Sequence, residues 1–470
     1  MSTCPQANTL REAGLRADQI LMPSDAEFAA RQSSYWSRSA RSLQPACIVE
    51  PESAQDVAAA VRALVAARVP FAVRSGGHMA WAGANNIGDG GVTVDLGRMD
   101  WVQVLPEGEM EKTVDIGPGN RWARVYTELQ AQGLAVVGGR EGNVGVAGLI
   151  LGGGMAFFAA RHGLACDSVV EFEVVLADGR IVRARQDKEH ADLFRALKGG
   201  GGNFGIVTNF QMRALPARPV WAGMTVHPKE ATPDAIRALK DFTDDASVDV
   251  DSHLLCFFTY TAGLERAPAY KKWLKMPTIA NTCKITTIPQ VVVDYGQAKD
   301  YYNTWFTATF KNDDRIVAKA AELHDKLVEE LKAFIPDGDF ITQCLFQPFP
   351  QLIGQLSAAA GGNIMGIDQQ RHNGLLWLAV TQVRTPEQEA FAYVRVRDWV
   401  RDVRQFAATI EGNLEWTYLN YADGSQDPLA SYGPENVRLM ADVAAKYDPE
   451  GVFQTLSSGG FKLSNTKLPN

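Results

Sequence analysis

Three clusters of glycine decide what this chain can enclose: Ser75-Gly-Gly-His78, the run Gly138-Gly-Arg-Glu-Gly-Asn-Val-Gly-Val-Ala-Gly-Leu-Ile-Leu-Gly-Gly-Gly154, and Gly199-Gly-Gly-Gly-Asn-Phe-Gly205. Without a Cβ, a backbone reaches positive φ and its N–H groups can approach a bound anion closely. Tight turns packed for steric reasons would produce any one of these clusters. Three in the first half of a chain point to a dinucleotide. Gly200 to Gly205 spells GxGxxG, but a Rossmann site needs that motif to follow a strand and open a helix, so that the pyrophosphate meets the helix N-terminus. Here a helical pattern through Leu193 to Leu197 precedes it and a strand pattern, Ile206 to Met212, follows. The order argues against an NAD site of that type.

His78 follows the apolar run Val69 to Val73 and two glycines. A lone histidine after a strand is ordinarily a satisfied structural residue. With Gly76 and Gly77 beside it, the imidazole rides on a loop that can press against a planar cofactor, leaving a ring nitrogen free as nucleophile. That arrangement suits a covalent bond to a flavin.

At 470 residues, the chain is long enough for two or three domains, each with its own core. Forty-six basic and fifty-four acidic residues give a net charge of −8, with no Lys/Arg block to follow a phosphate backbone, so nucleic acid is not an expected partner. The first twenty residues lack the apolar stretch of a secretory leader, and no run reaches membrane-spanning length. The expected location is the cytoplasm, or outside the cell if a leader has been removed. Cys4, Cys47, Cys166, Cys256, Cys283 and Cys344 form no CxxC pair, which argues against zinc and against a disulfide framework.

Periodicity predicts a helix capped by Ser53-Ala-Gln-Asp56, strands at Pro70 to Val73, Val92 to Leu96 and Lys112 to Ile116, and a helix from Arg121 stopped by Gly133. A hairpin follows around Ala-Asp-Gly-Arg180. Beyond Pro216 the texture changes to β-rich runs at Leu254 to Tyr260, Ile288 to Val293, Phe340 to Phe346 and Leu375 to Val383, with helices near 314 to 334 and 387 to 410. We expect an α+β fold whose second domain is an antiparallel sheet backed by helices, its open face covering a ligand held by the first. An amphipathic helix over Pro434 to Tyr447 is expected to pack back on the first domain.

Ala46-Cys-Ile-Val-Glu-Pro51, Arg74 to His78, Val144-Gly-Val-Ala-Gly148 with Gly152-Gly-Gly154, Asp192 to Thr208, Tyr418-Leu-Asn-Tyr-Ala-Asp423 and Tyr447-Asp-Pro-Glu-Gly-Val-Phe453 span nearly the whole chain. Together they resemble the FAD-linked oxidoreductases of the vanillyl-alcohol-oxidase type, in the berberine-bridge-enzyme-like branch. The resemblance implies an FAD-binding domain over 1–217 with a core of about 41–217, a substrate domain over 218–415, and a tail, 416–470, that returns to the first. It assigns His78 as the residue bonded to the flavin 8α-methyl group. Arg74, Ser75, Gly76, Gly77 and Met79 accompany it in the cofactor site. Glu141, Gly142, Asn143, Val144, Gly145, Gly148, Gly152, Gly153, Gly205, Ile206, Val207 and Asn420 complete that set.

Departures from the family pattern shape the expected chemistry. Glu141 stands where many members carry a second, cysteinyl link, so one covalent bond is expected. Leu149 replaces a histidine of plant-type members, and Trp377 occupies the position aligned with their Glu or Gln. A valine at the place of Val144 accompanies access of O2 in this family. Tyr418 is the expected base, with Tyr421 as competitor; strand alternation would put them on opposite faces. Gln382 or Gln343 meets substrate or faces solvent, and Phe257, Tyr260 and Trp377 are expected to give an aromatic pocket. The implied function is an FAD oxidase acting on a small hydrophobic secondary metabolite, with O2 as second substrate, no metal, and a monomer or homodimer as the working form. A carbohydrate oxidase and a flavin-scaffolded binding protein or non-redox cyclase are the alternatives.

Overall fold

The computed structural model describes residues 4–106, 112–255 and 257–467; Cys256 lies outside them. Among the described residues, two five-stranded sheets carry the first half. One runs Ile20–Leu21, Cys47–Val49, Val92–Asp95, Phe71–Arg74 and Ser457–Ser458, parallel except at its first pair. The other runs Val102–Val104, Thr113–Ile116, Ile206–Arg213, Val169–Val175 and Ile181–Ala184, antiparallel throughout. Helix Ala54–Ala66 covers the first with Val57, Val61 and Leu64, and Ser53 Oγ accepts from the Asp56 N–H at 3.1 Å to cap it.

The second half forms two antiparallel four-stranded sheets. The smaller is Ser252–Leu254, Phe258–Tyr260, Val220–Gly223 and Lys284–Thr286. The apolar run through 254 to 260 is thus a short hairpin, not one strand. The larger is Ile341–Phe349, Gly374–Val383, Tyr302–Lys311 and Asn413–Leu414. Strand Gly374–Val383 is buried at every position, so both its faces are covered. Trp377 and Ala379 point to helices Asp314–Phe334 and Pro386–Ala408, whereas Leu376 joins the core shared with the first half.

Ile288 to Val293 reads as a strand because of its β-branched residues, but folds as helix Ile288–Asp294. Pro289 sits in the first turn, where a missing N–H costs nothing, and Ile288, Val291 and Val292 form a helical stripe that buries against helix Trp122–Gln130. Helix Pro434–Tyr447 returns to the first half: its Lys446 and Tyr447 bond Asp192 at 2.6 and 2.7 Å. No helix of the described residues is long and apolar enough to cross a membrane.

Candidate functional site

The loop after strand Phe71–Arg74 meets the loop before helix Val146–Leu151 so closely that a Cβ on either Gly76 or Gly145 would overlap the other's backbone. Gly77, at φ 65°, has Arg74 and the Tyr35 ring where a side chain would go. Both glycines beside His78 therefore serve a close contact between protein segments, and both also line the cavity. Room for a ligand comes from other glycines. A Cβ on Gly148 or Gly202 would project into open space, and both line a cavity holding about 1830 Å³ of atom-free space, solvent at its mouth included.

His78 stands in the wall of this cavity with its side chain 8% exposed. Its ring stacks on Trp36 at 4.5 Å between centroids and 8° between planes. Nε2 lies 3.5 Å from a Glu141 carboxylate oxygen and makes no hydrogen bond. Burial pushes the imidazole pKa down to about 4 against the pull of Glu141, so the ring is neutral near pH 7. Glu141 is itself fixed: it accepts from the N–H groups of Asn143 and Val144 at 2.6 and 2.9 Å, and from Gln297 N at 3.2 Å.

Deeper in the cavity, Arg140 crosses from the glycine loop to the second half. Its guanidinium donates to Tyr421 Oη at 2.8 Å and to Gln347 Oε1 at 2.7 Å, and Nη1 lies 3.3 Å from His253 Nε2. Burial and that guanidinium hold His253 well below the usual histidine range, so it is neutral. Tyr418 Oη accepts from Met155 N at 2.8 Å and from Asn420 Nδ2 at 3.1 Å, and burial raises its pKa to about 12. Asn420 also donates to Leu149 O at 2.9 Å, tying the tail to helix Val146–Leu151. Leu255, Phe257, Tyr295 and Trp305 complete an apolar wall, in which Phe257 and Tyr295 stack at 4.5 Å.

A cradle floored by glycine backbone, with a buried imidazole whose Nε2 is unspent, fits FAD. A family model described as an FAD binding domain matches residues 45–185. FAD-dependent monooxygenase drtC of Aspergillus calidoustus is 37% identical, across 98% of this chain and 90% of its own. FAD-dependent monooxygenase sdcF of Emericella nidulans is 34% identical, across 95% and 96%. The chain belongs to the FAD-linked oxidoreductases of the vanillyl-alcohol-oxidase type. Its fold is also that of 6-hydroxy-D-nicotine oxidase from Arthrobacter nicotinovorans, with a TM-score of 0.76 at 23% identity, covering 94% of this chain and 97% of that one.

In this FAD-dependent oxidoreductase the cavity gathers Ser75, Gly76, Gly77, His78, Met79, Glu141, Val144, Gly145, Gly148, Gly152, Gly205, Ile206, Val207, Tyr418 and Asn420. Other expected residues lie elsewhere. Arg74 alternates with cavity-lining Val73 and so points away; it bonds Arg31 O and Ser34 Oγ and faces Asp95 at 3.5 Å. Gly142 donates to Val292 O, Asn143 bonds Glu141, and Gly153 packs against Met365. Trp377 does not line the cavity: it is fully buried against Phe346, Phe310 and Trp399, on the sheet face turned from it. Gln382 is on the near face but spends its amide on Asn303 Oδ1 at 2.6 Å. Neither it nor Gln343 lines the cavity, and Tyr260 packs on Tyr270 instead.

Leu419–Tyr421 form a 3₁₀ turn with Tyr418 at its N-cap, not a strand, so Tyr418 and Tyr421 come to one side with ring centroids 4.9 Å apart. Sequence reasoning missed Arg140, the cation beside these phenols, although it sits inside a glycine cluster. It also missed Trp305, whose strand Tyr302–Lys311 went unrecognised, and Ser457 to Lys462, whose Gly459-Gly460 pair was a legible signal.

Proposed function

We propose that this flavoenzyme oxidises a small hydrophobic secondary metabolite, with O2 as electron acceptor and hydrogen peroxide as product. On this reading, residues 1–217 and 416–470 hold FAD through one covalent bond at His78, and residues 218–415 shape the substrate pocket. The observation that carries it is the continuity of a single cavity from the unspent His78 nitrogen to the aromatic wall of Phe257, Tyr295 and Trp305. Bound FAD supplies a two-electron acceptor for a substrate C–H bond. The chain's residues supply the rest. A neutral His78 would hold the flavin through one ring nitrogen, with the Glu141 carboxylate 3.5 Å from Nε2 placed to orient the ring. Tyr418 accepts two hydrogen bonds from the protein, so its own O–H is left for the cavity, where it exchanges a proton with substrate. Val144, in the cavity wall, leaves O2 a path.

The apolar wall favours this over a carbohydrate oxidase. The name shared by drtC and sdcF makes monooxygenation the second reading; product mass after turnover in ¹⁸O2 separates it, because an oxidase leaves no label in the product. The first test is acid precipitation of purified protein. A yellow pellet with the FAD mass on the His78 peptide, absent in His78→Ala, is expected. A colourless pellet would overturn the covalent attachment.

A further inference from the structure

Arg140 is 7% exposed, and among the described residues none of its three hydrogen-bonding neighbours, Tyr421, Gln347 and His253, is a carboxylate. The other deeply buried cations differ: Arg74 faces Asp95 at 3.5 Å and Lys198 faces Asp167 at 3.4 Å. A guanidinium taken out of water without an anion is strongly unfavourable. Beside it, Gln347 Nε2 is buried without a partner. The amide cannot turn to relieve this, because its oxygen is committed to Arg140 and the opposite orientation would set two donors against each other. The site thus has one positive charge and one spare donor more than the protein's acceptors satisfy. Arg140 itself lines the cavity, together with Tyr421 and the stacked rings of Phe257 and Tyr295.

We infer that the substrate carries an acidic oxygen, anionic at neutral pH, on an apolar ring skeleton, and that Arg140 receives this oxygen. A planar guanidinium offers paired N–H groups to two oxygens of a carboxylate, or to the charged oxygen of an ionised enol. The skeleton then lies against Phe257 and Tyr295. This deepens the proposed function, since it names the class of molecule that the same cavity takes.

The test is calorimetric titration of the purified holoprotein with 2-naphthoate and its neutral isostere 2-naphthamide. We expect the carboxylate to bind at least tenfold more tightly, and the ratio to fall to about one in Arg140→Met while Arg140→Lys keeps part of it. A charged enol, 5-phenylcyclohexane-1,3-dione, distinguishes the two sources of charge: tight binding of the naphthoate alone assigns a carboxylate, of both an enolic acid. Equal affinity for naphthoate and naphthamide in the wild type overturns the inference, as does an unchanged ratio in Arg140→Met, which would place the anion at another cation such as Lys462. If Arg140→Met fails to fold, the wild-type ratio and Arg140→Lys still decide. Calorimetry reads binding whatever the flavin does. Loss of the oxidase reading, seen as absence of peroxide with a full flavin complement, is therefore a separate result.

Discussion

Among the described residues Tyr418 donates its hydroxyl to no protein acceptor, and burial holds it protonated at neutral pH by raising its pKa to about 12. If its phenolate is the working base, turnover rises with pH. The ionised fraction grows about tenfold per unit below the pKa, so kcat should climb from pH 7 to pH 10 without a plateau. A stopped-flow pH profile checks this; a flat profile would make Tyr418 a hydrogen-bond donor only. Tyr418→Phe should lower kcat by about 10² to 10⁴-fold, the usual worth of a positioned acid or base. At this scale the sequence was partly legible. His78 and Tyr418 announced themselves through motif and side-chain chemistry. Arg140 did not, because its importance comes from His253, Gln347 and Tyr421, which are distant in sequence and meet it only in the fold. The glycines beside His78 were found in the cavity wall, but not their second contact, with the backbone of Gly145 and the Arg74 and Tyr35 side chains.

The strand Gly374–Val383 explains why alternation alone could not assign roles. Period two correctly separates Trp377 from Leu376, but a strand buried on both faces gives no sign in its own sequence of which face meets the ligand. That depends on the helices, and Trp377 packs against Trp399 of helix Pro386–Ala408 at 4.9 Å. Trp377→Ala should accordingly cost about 3 to 5 kcal/mol of stability, the range for emptying a large aromatic site. Chemical denaturation measures that cost. Turnover per folded molecule, measured well below the melting temperature, should stay near wild type, which a catalytic Trp377 would not permit. Helix Ile288–Asp294 fails for a related reason. Its β-branched residues favour a strand, and what overrides them is burial against helix Trp122–Gln130, invisible in a local window.

At the scale of the molecule, the two-part architecture with a returning tail was legible because the motifs lie in order along nearly the whole chain. The tail supplies strand Ser457–Ser458 to the first sheet, Tyr418 and Asn420 to the cavity, and helix Pro434–Tyr447 to the outer face of the first half. A chain ended at residue 415 should therefore be recovered without flavin and in aggregated form. Size-exclusion chromatography with absorbance near 450 nm checks this, and a soluble yellow product would contradict it. The same strand has a bearing on how the enzyme is made in the cell. Because the neighbour of the Phe71–Arg74 strand, Ser457–Ser458, follows the whole second half along the chain, the first sheet cannot be completed until that half has been synthesised. Loss of that late segment would take away an edge strand and, with Ser457 to Lys462, part of the cavity wall.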